Sequence, residues 1–261
     1  MTNEHWRFNS NISWHYFCSA QYESVKAKDA NNPFIKYHHL RSCIYFSIGC
    51  LEAFLNGLMR EKLEMEKIEN DAIQKILRRD SLWEKIEEWP SELSGKPVKL
   101  PENIVSTISK FRNVRNEITH AKRRDHSIYA ELDTVNPDEI MDTLARTIVI
   151  VLSEMKRPFP YWVLGWNYVG MNGNPAHPFE NNNLNGFVHS LRNMNISFNN
   201  YGSDLTWESR AMTSEHGYME LKDVLSKVTF DIEPFHPTFP SKPRLTRRWW
   251  DVEFIKASVP K

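Results

Sequence analysis

Residues 111–124 read "FRNVRNEITHAKRR" and carry four arginines, two asparagines and one histidine. Within it, Arg115-Asn116-x-x-x-His120 sets a planar charged donor, an amide and an imidazole close together. Between Thr107 and His126 the cations are Lys110, Arg112, Arg115, Lys122, Arg123 and Arg124, against the anions Glu117 and Asp125, a local balance of +4. Such a patch attracts phosphate. A cationic helix end exposed to solvent, where the helix dipole favours positive charge, is the plainer reading of the same residues.

The stretch has helical periodicity. At about 100° per residue, with Ile104 at zero, Ile108 falls near 40°, Phe111 near 340° and Ile118 near 320°. Arg115 falls near 20°, on the centre of that apolar face, whereas Asn116 lies near 120° and His120 near 160° on its flank. A guanidinium on a buried stripe is expensive unless something pairs with it. Two arrangements would relieve it: a buried carboxylate, for which Glu52 in the apolar "CLEAFL" is the natural partner, or snorkelling to the helix edge. His120 alone reads as a surface or capping histidine near a helix C-terminus.

The elements that must position these residues are mostly helices. Residues 11–30 form one, ending at Asn31-Asn32-Pro33. A long helix over about 35–66 carries Ile44, Ile48, Leu51, Leu55 and Leu58 on one stripe. A broken charged segment (68–89) includes "SLWEKIEEW" as a short helix, and "SELSGKPVK" is a loop. The helix bearing Arg115 begins near Pro101. The last helix of this half follows an Asn136 N-cap, with Pro137 at its first position and acidic residues in its first turn. Pro158 and Pro160 then divide a helical region, 1–157, from a smaller one, 158–261, that holds much of the Pro, Gly and Asn. In the second region "YWVLGWNYV", "VTFDIEPF" and "WWDVEFIKA" read as strands, and "GFVHSLRNM" as a short helix. The fold class expected is mainly α, with a mixed α+β C-terminal region.

Composition narrows the function classes. The chain has 261 residues, 41% hydrophobic and 25% charged, with a formal net charge of zero, so a global cationic field does not draw it to nucleic acid. Three cysteines, without C-x-x-C spacing, argue against a disulfide framework or a structural zinc site. The remaining histidines lack H-x-x-x-H or H-E-x-x-H spacing, so no metal is expected. No phosphate-loop or dinucleotide motif occurs, and no cofactor is expected. The N-terminus lacks a cationic start followed by an apolar run, and no stretch reaches roughly 18 uninterrupted apolar residues, which leads to the expectation of a cytoplasmic protein without a membrane partner. "PRLTRRWWDVEF" joins Arg247 and Arg248 to Trp249, a cation-and-aromatic set that could hold phosphates and stack bases, or pack as core.

"RNEITH", together with the earlier "SIGCLEAFLNGLM", resembles the HEPN family, the helical RNA- and nucleotide-associated domains of bacterial defence and toxin systems. The resemblance covers roughly residues 35–155. It rests on an Arg followed by Asn, a His a few residues on, and an acidic residue on an early helix. It implies a HEPN-like helical bundle and a metal-independent endoribonuclease with a composite site shared by two protomers. In that reading His120 accepts the 2′-OH proton, Arg115 stabilises charge on the phosphate, and Asn116 orients the phosphate or the histidine, with Glu52, Arg112 and Glu117 in support. Because a 2′-OH is the nucleophile, RNA is cut and DNA is not. Lys110, Lys122, Arg123, Arg124, Arg247, Arg248 and Trp249 would bind the RNA. Some members carry a tyrosine two residues after the histidine; here that position is Lys122. A homodimer and an antitoxin or other defence-system protein are the partners implied. The competing reading is a catalytically silent HEPN-like subunit that binds RNA or nucleotide, or scaffolds a defence complex; the intact Arg115/His120 pair favours the enzyme.

Overall fold

Asn32 and Pro33 set the first corner of the described chain. The Asn32 side chain accepts hydrogen bonds from the backbone N–H of Phe34 (2.8 Å) and Ile35 (3.4 Å). Pro33 supplies a first helical residue that needs no N–H partner. This corner joins α1 (Ile12–Asp29) to α2 (Pro33–Met65), and the short connection folds them into a helical hairpin. The computed structural model describes residues 12–120, 127–164 and 212–226.

Five further helices follow before residue 155: α3 (Asn70–Arg79), α4 (Leu82–Ser94), α5 (Glu102–His120), α6 (Ser127–Asp133) and α7 (Pro137–Glu154). A 3₁₀ turn (Tyr161–Leu164) and α8 (Glu215–Ser226) complete the described chain, which holds no strand among these residues. The mainly helical architecture expected from periodicity is therefore present. Of the strand expected over 161–169, residues 165–169 lie outside the described residues, and the described residues 161–164 form the 3₁₀ turn instead. Pro158 and Pro160 precede it, and Val163 N–H returns to the Pro160 carbonyl at 3.2 Å. The other expected strands, and the helix at 186–194, lie outside the described residues.

The segment 68–89, expected to be broken, resolves into α3 and α4, and α4 runs on into the expected loop. Its start is fixed by a reciprocal cap: Glu84 N–H donates to the Ser81 hydroxyl (3.3 Å) and Ser81 N–H donates to the Glu84 carboxylate (2.6 Å). Pro90 lies inside this helix, and Gly95, at φ +70°, closes it in the left-handed conformation.

Helix α2 is the organising element and touches α1, α3, α4, α5, α6 and α7. Its stripe of Ile44, Ile48, Leu51, Leu55 and Leu58 is buried, as the spacing predicts. Gly49 lets α1 come close: a Cβ there would sit 3.2 Å from the Tyr16 ring. By length and composition α2 is apolar enough to cross a membrane, and 56% of that apolar window is buried inside the bundle. Helix α7, apolar at every position from Ile148 to Leu152, is buried along with it. The described part of the second region packs on α7. Phe159 N–H donates to the Met212 carbonyl at 2.7 Å, Tyr218 stands edge-on to Phe159, and Arg146 on α7 pairs with Glu215 at 2.7 Å.

Candidate functional site

Helix α5 enters the core and rises toward the surface over its last two turns, where Ile118 still packs partly buried against the core. Ile104, Ile108, Phe111 and Val114 are buried, and no residue after Val114 is. Arg115 therefore sits where the helix emerges. It is half-buried rather than sunk in the apolar face, which is the snorkelling solution. Its guanidinium lies 6.0 Å from the centroid of the Tyr45 ring on α2. Its Nη1 donates to Asn116 Oδ1 at 3.2 Å, which ties the first two motif residues together. Thr119 Oγ1 donates back to the Arg115 carbonyl at 2.8 Å, holding the last turn.

His120 ends α5 and is exposed. It stands four residues after Asn116, so the two share a face. Its direction is about 140° from that of Arg115 on the helical wheel. Among the described residues the His120 side chain makes no hydrogen bond or ion pair, and no contact joins it to Arg115. Glu117 and Lys110 are half-buried on other flanks of α5. Lys122, Arg123, Arg124, Arg247, Arg248 and Trp249 lie outside the described residues.

The expected pairing of Glu52 with Arg115 is corrected by the structure. Glu52 Oε1 instead accepts from Lys85 Nζ of α4 at 3.4 Å. The Lys85 side chain is 2% exposed and Glu52 40%. The Lys85 ammonium also lies 5.2 Å from the Trp89 ring. The reason is topological: α4 packs on α2 and delivers a cation to Glu52, two helical turns along α2 from Tyr45. An aromatic ring is what Arg115 meets.

Arg112 comes one turn before Arg115 and is half-buried, with its guanidinium 4.9 Å from the Trp83 ring of α4. Its Nε is covered and has no hydrogen-bond partner. On α2, Asn56 Oδ1 is likewise covered and unpartnered.

Sequence reasoning missed Tyr45, Trp83 and Lys85. A tyrosine on the polar flank of a long apolar helix carries no signal of what it faces. A lysine in the charged "WEKIEEW" normally points to water. Only the packing of α4 and α5 on α2 identifies them.

Among the described residues no group of three or more His, Cys, Asp or Glu side chains is placed to hold a metal ion. All three cysteines are free and buried between α1 and α2. Burial pushes the thiols of Cys18 and Cys43 up to about 12, and that of Cys50 well above its ordinary value. They are packing groups, and Cys50 Sγ donates to the Ser13 carbonyl at 3.2 Å. Comparison with known protein families, curated proteins and solved structures found no match to this chain.

Proposed function

We propose that this chain is a HEPN-type, metal-independent endoribonuclease, acting as a homodimer in which two copies of the α5 C-terminus form one site. The observation that carries the reading is the Arg115–Asn116 pair at the accessible end of α5. The guanidinium is positioned by an amide and an aromatic ring and, among the described residues, is not neutralised by a carboxylate. Such a group is available to an incoming phosphate. His120, exposed one turn on, supplies the imidazole for proton transfer from the 2′-OH and to the leaving 5′-oxygen.

Two copies are part of the proposal because Arg115 and His120 diverge on one helix. A second α5 would set the partner's histidine opposite the first, giving one base and one acid. The setting in a toxin or anti-phage system of the cytoplasm, with an antitoxin or defence partner and no membrane, follows from the resemblance of the motif. Residues 158–261 would choose the RNA or partner and leave the chemical step to α5. Cutting them away is a poor test, since α8 and Phe159 pack on α7. Arg247 and Arg248 changed together to Glu in the full chain should weaken RNA binding and leave the metal independence of cleavage unchanged.

The test is cleavage of RNA by the full chain in EDTA, with His120→Ala and Arg115→Ala alongside. Both variants should fold and lose cleavage, and expression of the wild type should be toxic in a way that His120→Ala relieves. Cleavage that stops with a chelator and returns with magnesium or manganese contradicts the mechanism. The divergence of Arg115 and His120 also favours a second reading, a catalytically silent RNA- or nucleotide-binding subunit, if the chain proves monomeric by light scattering at concentrations used for cleavage.

A further inference from the structure

Arg112 and Arg115 share an arrangement that the ribonuclease reading does not require of Arg112. They stand three residues apart on α5, so their side chains leave the helix on neighbouring turns, about 5–6 Å apart at Cβ. Each lies against a ring from a different helix: Arg112 on Trp83 of α4 at 4.9 Å, Arg115 on Tyr45 of α2 at 6.0 Å. Among the described residues neither is paired with a carboxylate. Glu52 of α2, the carboxylate expected beside Arg115, is paired with Lys85 instead.

Arg112 is the more telling of the two. Its Nε is covered, bonded to nothing, and therefore a destabilising feature of the isolated chain. Trp83, its ring centroid 4.9 Å from the guanidinium carbon, backs the group from one side, and with Nε covered the terminal nitrogens are the ones left for a ligand. A planar fork held by an aromatic face and lacking a protein acceptor is suited to the oxygens of a phosphate.

We propose that Arg112 and Arg115 form a two-guanidinium clamp for phosphate groups, with Arg112 holding the phosphate next to the one that Arg115 contacts. The clamp rests on the ribonuclease reading only for the identity of its ligand, a single-stranded RNA backbone. The same chemistry would accept a free phosphate. Arg112 is a binding residue in this scheme and takes no part in proton transfer.

The test uses the full chain, a 2′-deoxy oligonucleotide that cannot be cleaved, and inorganic phosphate as a separate probe. Affinity for the oligonucleotide is measured across a salt series for the wild type, Arg112→Met and Arg112→Lys, with a thermal melt of each. Arg112→Met keeps a side chain that packs on Trp83 and removes the charge. It should weaken oligonucleotide binding about ten- to a hundredfold and reduce the slope of log K against log salt by about 0.7, the loss of one phosphate contact on a single strand. Its melting temperature should be unchanged or higher, because a covered donor without a partner has been removed. Arg112→Lys should recover the slope but only part of the affinity. A phosphate-induced rise in melting temperature that Arg112→Met abolishes, with an unchanged oligonucleotide slope, assigns the clamp to free phosphate. Wild type that binds through Arg112 yet leaves RNA intact keeps the clamp and removes the nuclease reading. Unchanged affinity and slope in Arg112→Met, with or without a fall in melting temperature, overturn the clamp, as does a wild type that binds neither probe.

Discussion

Exchange of Glu52 for glutamine removes the carboxylate facing Lys85 Nζ and keeps the shape of the side chain. The two groups are 3.4 Å apart, one almost fully buried and the other 40% exposed. At that separation the attraction between unit charges is roughly 5 kcal/mol at an effective dielectric of 20, and roughly 1 kcal/mol in water. Glu52 is partly hydrated, so the effective value lies between these, and the glutamine carbonyl still accepts one hydrogen bond. A loss of about 2 kcal/mol is expected, or a fall of about 4–8 °C in melting temperature for a chain of this size. Lys85→Met should behave differently. It removes the buried charge, keeps an apolar stem against Trp89, and leaves a carboxylate that water can reach; its stability should lie within about 1 kcal/mol of wild type. Thermal melts of both variants, read beside RNA cleavage, separate a structural Glu52 from a catalytic one. Cleavage by Glu52→Gln should stay within about twofold of wild type below its melting range. A variant with unchanged melting temperature and more than about tenfold lower activity would refute the Lys85 pairing and restore Glu52 to the site.

Other consequences follow from the described packing. Ellman's reagent at pH 8 should find no reactive thiol in the native chain and three after unfolding, because burial raises Cys18 and Cys43 to about 12 and Cys50 well above its ordinary value. Gly57 lies exposed in the middle of α2, and a Cβ there meets nothing within 4 Å, so Gly57→Ala should stabilise by about 0.5–1 kcal/mol in a denaturant titration. Asp80 is held below the usual carboxylate range first by Arg79 and then by the Trp89 indole N–H, which donates to it at 3.0 Å. Its folded value is depressed, so its contribution is complete above the unfolded value near 4 and is lost as pH falls through the folded one. Melting temperature should drop on acidification below about pH 4, less steeply in Asp80→Asn.

How far the sequence carries this molecule differs between elements. The stripe on α2 and the Asn136-Pro137 start of α7 were legible because helix burial follows a 3.6-residue period and caps are local chemistry. Helices α3 and α6 were not: both are short and charged or half-buried, and packing on α2 helps hold them. The extension of α4 through Pro90 ran against a strong local stop signal; packing of Trp89 and Pro90 in the core outweighs one lost backbone hydrogen bond. At the site, the wheel correctly set Arg115 apart as an anomaly. The wheel has no measure of depth: after Val114 the helix rises, so that Arg115 and Ile118 on the same face are half-buried. Glu52 pairs with Lys85 and not Arg115, because periodicity along α2 says nothing about which of α4 and α5 lies over it. The contacts of Arg112 with Trp83 and Arg115 with Tyr45 are tertiary, joining residues 29 and 70 positions apart, and no pattern within one helix encodes them.

The most direct test of the central claim is cleavage, in EDTA, of a short RNA compared with the same strand carrying a single 2′-deoxy nucleotide at the mapped cut site. The all-RNA strand should be cut to a 2′,3′-cyclic phosphate end by wild type and not by His120→Ala, and the deoxy position should block the cut. Cutting at the deoxy position, or cutting by His120→Ala at the wild-type rate, would contradict the claim.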